Sequence, residues 1–440
     1  MARLAIAGLG LALAAGNPVA EPGVAGTTAL TPLVVQDGLK SKEVRELFDE
    51  FLEQDRWTPE GRARQAGILA RLEGQPLKRA SDIKKWVKRA EKAWAEWPTL
   101  EKDGGEAFLY PDATPSQRRG KYIVGGDTAK PKGLLIAMHG GGVGSGDAEP
   151  MAAGYQSPAS KRDLLMIAPE VLEKTERGWT DSGTEEFVLQ LVERALRTWD
   201  IDPDRVYFSG HSMGGYGSWT LGAHHADLLA GAAPSAGGPT PIMDMEGNFY
   251  DIVEGIVPNL RNLRVACYQS ADDAQVPPGP NRIATRKIEE ARERWGGFDY
   301  EYWEVDGMGH AAPPGGYGDL LDKVLDATRD SRPERLVWQP MLDWKRDWYW
   351  VRWEEPKAMS LLTIDLDKDA NAVRIETSGV TLTGFSVYLD EQMLDLGEEV
   401  TVTVDGKEAF RGVVEPTLDA LLSSLRRGDP AYVFSHRITL

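Results

Sequence analysis

The sequence predicts an α/β fold: a doubly wound, mostly parallel sheet, preceded by a small helical unit and followed by a small β-rich unit. Three observations carry this. Downstream of Lys121, short apolar runs alternate with amphipathic helical stretches, and parallel strands need crossovers of that length. Upstream of it, apolar residues recur at helical spacing. After Pro333 helical spacing nearly vanishes, and strand-like segments follow one another.

The chain opens on Met1-Ala2-Arg3 and an apolar run from Leu4 to Ala15. This run is too short to span a bilayer. A basic start, an apolar stretch and small residues predict a secretory signal peptide over 1–20, and hence a secreted or periplasmic protein. Residues 21–36 lack periodicity and read as a linker. The helical unit is predicted over 37–100. Val44, Leu47, Phe48, Phe51 and Leu52 share one helix face, with Ser41 as the cap. A second helix is expected from Pro59 to Glu73. A third, capped by Ser81, carries a packing stripe of Ile83, Trp86, Val87, Ala90, Ala93, Trp94 and Trp97.

The α/β unit is expected over 101–331. Its strands are read at 133–138, 164–168, 205–209, 229–233, 263–268 and 300–305. Helices are read from Glu185 to Trp199, opened by a capping box at Ser182-Gly183-Thr184-Glu185, and from Arg282 to Trp295. A last helix carries Tyr317, Leu320, Leu321, Val324 and Leu325. The β-rich unit fills 332–440, with a hairpin turn at Asp405-Gly406. Asp365-Leu366-Asp367-Lys368-Asp369 with Glu376 copies the spacing of a calcium loop. Ala370 stands where that loop needs glycine, and strands flank it, so a plain hairpin turn is expected. The five tryptophans from Trp338 to Trp353 are read as core rather than as a sugar platform.

The chain has 440 residues, a formal net charge of −18 and ordinary composition, 42% hydrophobic and 27% charged. The acidic balance argues against a nucleic-acid partner, since phosphate binding needs a basic patch. Cys267 is the sole cysteine, which excludes an intrachain disulfide and a cysteine-based metal site. No phosphate loop or metal-ligand cluster is found, and no cofactor is expected.

The chemistry begins at "DRVYFSGHSMGGYGSW". Gly210-His211-Ser212-Met213-Gly214 follows an apolar run and precedes a helical stretch. Ligands bind outside the carboxyl ends of strands in such sheets. A sharp strand-to-helix turn there would expose the Ser212 hydroxyl, with the Met213 amide facing the same point. Gly210 and Gly214 stand where a Cβ would clash. A serine hydroxyl needs a base. Of six histidines, His310 ends "YEYWEVDGMGH", a strand followed by a Gly-x-Gly loop, and is the best placed. His211 neighbours the serine, so its side chain is expected to point elsewhere. The base needs an orienting carboxylate. Asp272-Asp273 ends the strand "LRVACYQS", between serine and histidine in the chain; Asp306 is less well placed. "LLIAMHGGGVGSG" puts His139-Gly140-Gly141-Gly142 after another strand, where backbone amides could turn toward a developing oxyanion.

On "GHSMGGYGSW" and "HGGG", the segment from about Gly120 to Arg329, half of the chain, resembles the α/β-hydrolase superfamily. It looks most like the secreted esterase and polyhydroxybutyrate-depolymerase-like group, near feruloyl and acetyl xylan esterases. The resemblance implies Ser212 as nucleophile, His310 as base and Asp273 as acid. Gly140, Gly141 and Met213 match the oxyanion donors. Asp273 is chosen over Asp272 on the spacing "SADDAQV", although glycine usually stands where this chain has Ser270. It implies a serine hydrolase that cleaves carboxylic esters, of small molecules or glycans, through an acyl-enzyme. A serine peptidase using the same residues is the first alternative, and a noncatalytic binding protein working through its β-rich unit is the second. All the expected catalytic pieces precede Pro333, so the β-rich unit is expected to be dispensable for the chemical step. Residues 238–262 are expected to wall the pocket, with Met243, Met245, Phe249 and Tyr250 making it partly apolar.

Overall fold

The structure is a computed structural model that describes residues 39–111 and 118–440. The expected signal peptide and linker lie outside the described residues.

Three helices come first: α1 (Ser41–Glu53), α2 (Pro59–Leu72) and α3 (Ala80–Trp94). The α/β unit follows as β1 (Gly105–Tyr110), β2 (Arg119–Gly126), β3 (Gly133–Met138), α4 (Ala148–Ser160), β4 (Leu164–Pro169), α5 (Thr184–Thr198), β5 (Val206–His211), α6 (Met213–His224) and β6 (Gly231–Ser235). A small hairpin, β7 (Pro241–Met243) and β8 (Phe249–Ile252), precedes β9 (Arg264–Ser270), α7 (Gly279–Trp295), β10 (Tyr300–Val305) and α8 (Tyr317–Asp322). The main sheet has the order β1-β2-β4-β3-β5-β6-β9-β10. β1–β2 and β2–β4 pair antiparallel and all other neighbours parallel. This eight-stranded arrangement, with helices on both faces, is the α/β-hydrolase fold.

The apolar strands are split between two cores by their period of two. Leu134, Ile136 and Met138 of β3 face the core beneath α5, α6 and α7. Leu135 and Ala137 face the other, with Tyr155 of α4 and Leu320 and Leu321 of α8. Both faces being covered, the strands read as continuous apolar runs.

Beyond the α/β unit lie two facing sheets. One joins β11 (Arg335–Trp338), β14 (Leu362–Asp367), β15 (Ala372–Thr377), β17 (Val400–Val404) and β18 (Lys407–Gly412). The other joins β12 (Asp347–Trp348), β13 (Val351–Trp353), β16 (Phe385–Leu389) and β19 (His436–Thr439). Trp338, Trp348, Trp350 and Trp353 are fully buried between them, so these four are core and not a surface platform. Trp344 is half-buried. Asp405 and Gly406, with φ of 49° and 74°, turn the β17–β18 hairpin. The calcium-like stretch is the β14–β15 turn, where Asp365 pairs with Arg335 and Asp367 with Arg374 and the Ala370 amide.

The three regions share their cores. The tryptophan core of the two sheets is continuous with the α5–α7 side of the α/β unit. A helix inside the β-rich region, α9 (Leu418–Leu425), was not expected. Its Leu418, Leu421, Leu422 and Leu425 pack with Leu47, Phe48, Phe51, Ile68 and Leu72 of the N-terminal helices. The N-terminal unit thus closes its core with a helix from the far end of the chain.

Local corrections follow the same logic. Ser41 and Ser81 lie inside α1 and α3 and cap neither; Lys40 and Arg79 occupy the cap positions without a side-chain bond. Thr58 is the true cap of α2, its hydroxyl accepting from the Gly61 amide at 3.0 Å. The capping box of α5 does not form. Gly183 occupies the cap at φ 86°, and the Glu185 carboxylate turns inward to His224 Nδ1 and His225 Nε2, each at 3.0 Å. The strand expected at 229–233 lies two residues later, at Gly231–Ser235.

Candidate active site

β5 occupies the middle of the sheet, and Ser212 follows its last residue, one residue before α6. Its backbone sits at φ 59° and ψ −119°, a conformation a non-glycine residue holds only when its surroundings impose it. They do so by close approach. A Cβ on Gly210 would lie 2.5 Å from both the Gly214 and Met138 carbonyl oxygens, and one on Gly214 would collide with the Met138 carbonyl. The Ser212 amide is tied to the Ser235 carbonyl of β6 at 3.0 Å.

His310 Nε2 lies 2.8 Å from Ser212 Oγ. His310 Nδ1 lies 2.7 Å from Asp273 Oδ2. An ionised carboxylate only accepts, so Nδ1 carries the proton, and the unprotonated Nε2 accepts from the serine hydroxyl. Asp273 is buried, and its other oxygen accepts the Gln275 and Val276 amides, both at 2.9 Å. Gln269 Nε2 donates to Asp273 Oδ2 at 3.3 Å, and its Oε1 accepts from Asn281 Nδ2 at 3.0 Å. The buried carboxylate is therefore fully satisfied, as it must be to remain charged.

Of the six expected site residues, Ser212, His310 and Asp273 are joined by hydrogen bonds, Gly140 packs against Ser212, and Met213 follows it at the start of α6. Among the described residues, no acceptor pairs with the amides of Gly140, Gly141 or Met213. The Met213 amide is free because it opens α6. The Gly142 amide is spent on the Ser145 carbonyl at 3.2 Å. His139 pins this loop: its Nδ1–H donates to the Gly140 carbonyl at 2.8 Å, and Nε2 accepts the Val171 amide at 3.2 Å. Burial pulls the His139 pKa down, in keeping with a neutral ring. Trp179 Nε1–H donates to the His139 carbonyl at 3.1 Å.

His211 departs from expectation. Its ring lies 4.9 Å from that of His310, and its Nδ1 is 3.0 Å from Ser235 Oγ. Burial, and then the charge of His310, lower its pKa to about 4. Tyr317 stands beyond it at 6.0 Å, stacked on Tyr155. Sequence reasoning also passed over Gln269 and Asn281, and weighed Ser270 and Asp272 only in choosing the acid. The available signal was polar residues, Gln269 and Ser270, ending an otherwise apolar buried strand.

The β7–β8 hairpin rises from the same sheet edge. Met243, Met245 and Tyr250 are exposed on it; Phe249 is half-buried and packs over Gly279. On the other side of β5, Val143 of the glycine loop is 71% exposed. A cleft of about 930 Å³ lies elsewhere, among α2, α5 and the Arg426–Pro430 turn. Ion pairs such as Arg56–Glu193 and Arg352–Asp347 line it. A group of carboxylates at Asp147, Glu149 and Glu170 is occupied by the ammonium groups of Lys121 and Lys174. No helix of the described residues is long and apolar enough to cross a membrane.

No family model matches the chain. It is 28% identical over 225 residues to the bifunctional acetylxylan esterase/xylanase XynS20E of Neocallimastix patriciarum, a stretch covering 45% of this chain and 31% of that protein. It is 42% identical over 52 residues to poly(3-hydroxyalkanoate) depolymerase C of Paucimonas lemoignei, covering 12% of this chain and 13% of that protein. The matches thus span well under two thirds of either relative. A solved thermostable esterase aligns with a TM-score of 0.40 at 18% identity, over 52% of this chain and 63% of that one.

Proposed function

We propose that this chain is a serine hydrolase that cleaves carboxylic esters through an acyl-enzyme. One observation carries the reading: the Ser212–His310–Asp273 relay, at 2.8 and 2.7 Å, next to a glycine loop and a helix start whose Gly140, Gly141 and Met213 amides lack acceptors among the described residues. In the first half-reaction Ser212 Oγ attacks the ester carbonyl carbon as its proton passes to His310 Nε2. Asp273 holds Nδ1–H toward itself and stabilises the imidazolium. The carbonyl oxygen becomes an oxyanion facing the amides of Met213, Gly140 and Gly141. One such donor contributes roughly 10²–10³-fold in rate. Collapse breaks the bond to the alcohol oxygen, which leaves with the proton from His310. Water then attacks the acyl-serine, giving its proton to His310 Nε2; collapse breaks the bond to Ser212 Oγ, which takes that proton back as the carboxylic acid departs.

The substrate class follows the relatives' names, acetylxylan esterase and polyhydroxyalkanoate depolymerase, which supports esters of small molecules or glycans. The basic start and apolar run Leu4–Ala15 support export to the periplasm or exterior.

The test is a panel of nitrophenyl esters, acetylated and feruloylated glycans and peptides, run on the wild type and Ser212→Ala. Ester turnover is expected in the wild type. The variant should lose it by on the order of 10⁴-fold or more, and a fluorophosphonate should label only the wild type. Residual activity above about a hundredth of wild type rejects Ser212 as the nucleophile.

A further inference from the structure

The loop presenting His310 has little of its own to hold it. Residues 306–316 belong to no helix or strand, and Gly307 and Gly309 both sit at positive φ, 78° and 54°. The β9–β10 ladder stops just before it. Val305 pairs with Ser270, and the Ala271 amide donates to the Val305 carbonyl at 2.7 Å, the last backbone bond between the two. From there side chains continue where the backbone leaves off. Ser270 Oγ accepts the Met308 amide at 3.1 Å. Asp272 Oδ1 accepts the Gly309 amide at 2.9 Å and the Ser270 hydroxyl at 2.5 Å.

We propose that Ser270 and Asp272 are positioning residues, a two-side-chain clamp on the backbone just before His310 that sets the place of its imidazole over Ser212. The proposal rests on the ester-hydrolase reading of the site. It gives the end of β9 two separate tasks: Asp273 takes the His310 ring, while Ser270 and Asp272 take the two amides that precede it. The Ser270 hydroxyl, and after it the Gly309 amide, hold the Asp272 carboxyl below the usual carboxylate range. Asp272 therefore stays ionised, and hydrogen bonds to an ionised acceptor are the stronger kind. Ser270 is fully buried, so its hydroxyl cannot turn to water. With both glycines free to take other φ values, losing the clamp lets the imidazole drift. A misplacement of about 1 Å costs on the order of 10²-fold in rate.

The experiment uses the full chain with Asp272→Ala, Asp272→Asn, Ser270→Ala and Ser212→Ala. It measures kcat and KM on p-nitrophenyl acetate, the rate at which a fluorophosphonate labels Ser212, and thermal unfolding. Asp272→Ala should lower kcat and the labelling rate together, by about 10- to 100-fold, with KM within about twofold. Asp272→Asn should recover most of that loss, because the amide oxygen still accepts the Gly309 N–H. Ser270→Ala should fall between. A folded Asp272→Ala whose kcat is within about twofold of wild type overturns the clamp. So does an Asn variant as impaired as the Ala variant. Should Asp272→Ala fail to fold, Ser270→Ala decides: a lowered kcat at constant KM upholds the proposal, and a wild-type kcat overturns it. The underlying reading fails separately, if Ser212→Ala still turns over the ester. A dead Ser212→Ala beside a fully active Asp272→Ala removes the clamp alone.

Discussion

His211, the neighbour of Ser212 in the chain, holds its ring 4.9 Å from that of His310, the two planes tilted by 45°. In the proposed cycle His310 becomes an imidazolium twice. A second charged imidazole at that distance would oppose it. Burial, and then the His310 charge, hold the His211 pKa to about 4, so His211 stays neutral through the range where an ester hydrolase works.

This neutrality has a cost at acid pH. The folded pKa of His211, about 4, lies below the ordinary value of 6.5. Between those two values the unfolded chain binds the extra proton. The contribution is therefore fully present above about pH 6.5 and is lost as pH falls toward 4. The shift corresponds to roughly 3 kcal/mol at most, reduced by whatever solvent reaches the ring. His211→Gln can keep a bond to Ser235 but cannot titrate. Urea unfolding at pH 7 and pH 4.5 should show the variant losing less stability than the wild type. An identical loss in both proteins would rule His211 out as a source of acid sensitivity.

Asp273→Asn should cripple turnover for a geometric reason. The Gln275 and Val276 amides both donate to Oδ1. An asparagine would keep its oxygen there and present its NH₂ to His310 Nδ1. The imidazole would then hold its proton on Nε2, the wrong nitrogen for accepting from Ser212. A fall in kcat on the order of 10⁴-fold is expected, with little change in KM. Asp272→Asn should be far milder. The reverse order, read from steady-state kinetics of the two variants, would exchange their roles.

Much of this site was legible in the chain because its chemistry constrains the local backbone. The glycines around Ser212 mark a turn where three carbonyls crowd, and Asp273 and His310 each lie in the loop that follows a strand, β9 and β10, at one sheet edge. His211 was misplaced because alternation of side chains holds only along extended backbone. Ser212, at φ 59°, breaks the extension, so its neighbours need not face opposite ways. Helix α9 was hidden for another reason. Its eight residues are too few for a clear period, and its apolar face is satisfied by Phe48 and Leu72, which lie nearly the whole chain away. The Asp272 clamp was invisible because it binds backbone amides, which leave no trace in residue identity.

Gly140 should tolerate no side chain without loss of rate. A Cβ there would stand 3.1 Å from the His211 carbonyl and 3.2 Å from Ser212 Cβ, tighter than ordinary contact. Gly140→Ala should push the glycine loop away from the nucleophile by a few tenths of an ångström and spoil the alignment of its amides. A drop in kcat of about 10- to 100-fold is expected, with the melting temperature nearly unchanged. A wild-type kcat in a folded Gly140→Ala would remove this loop from the oxyanion site.

The last prediction concerns the join between the α/β unit and the β-rich region. Asp227 lies in the turn before β6 and is fully buried. Its carboxylate accepts from Lys345 Nζ and Arg427 Nη2, both at 2.7 Å. Its carbonyl accepts from Tyr432 Oη at 2.5 Å, and the neighbouring Ala226 carbonyl accepts from Tyr349 Oη at 3.1 Å. All four donors come from beyond Pro333. Deleting that region would strand a buried carboxylate and uncover the apolar surface under Trp338 and Trp348. Truncation after Arg332 should therefore give an insoluble or unfolded chain, even though every proposed catalytic group precedes the cut. The finer test keeps the chain whole. Removing one partner of a buried ion pair costs about 3–5 kcal/mol, because the other charges are left uncompensated. Asp227→Ala should lose that much in urea unfolding. Its kcat per folded molecule should stay near wild type, since Asp227 lies at the sheet edge opposite Ser212. An unchanged unfolding midpoint would show that the apolar core, not the ion cluster, joins the two regions. A soluble, folded truncate would show that neither is needed.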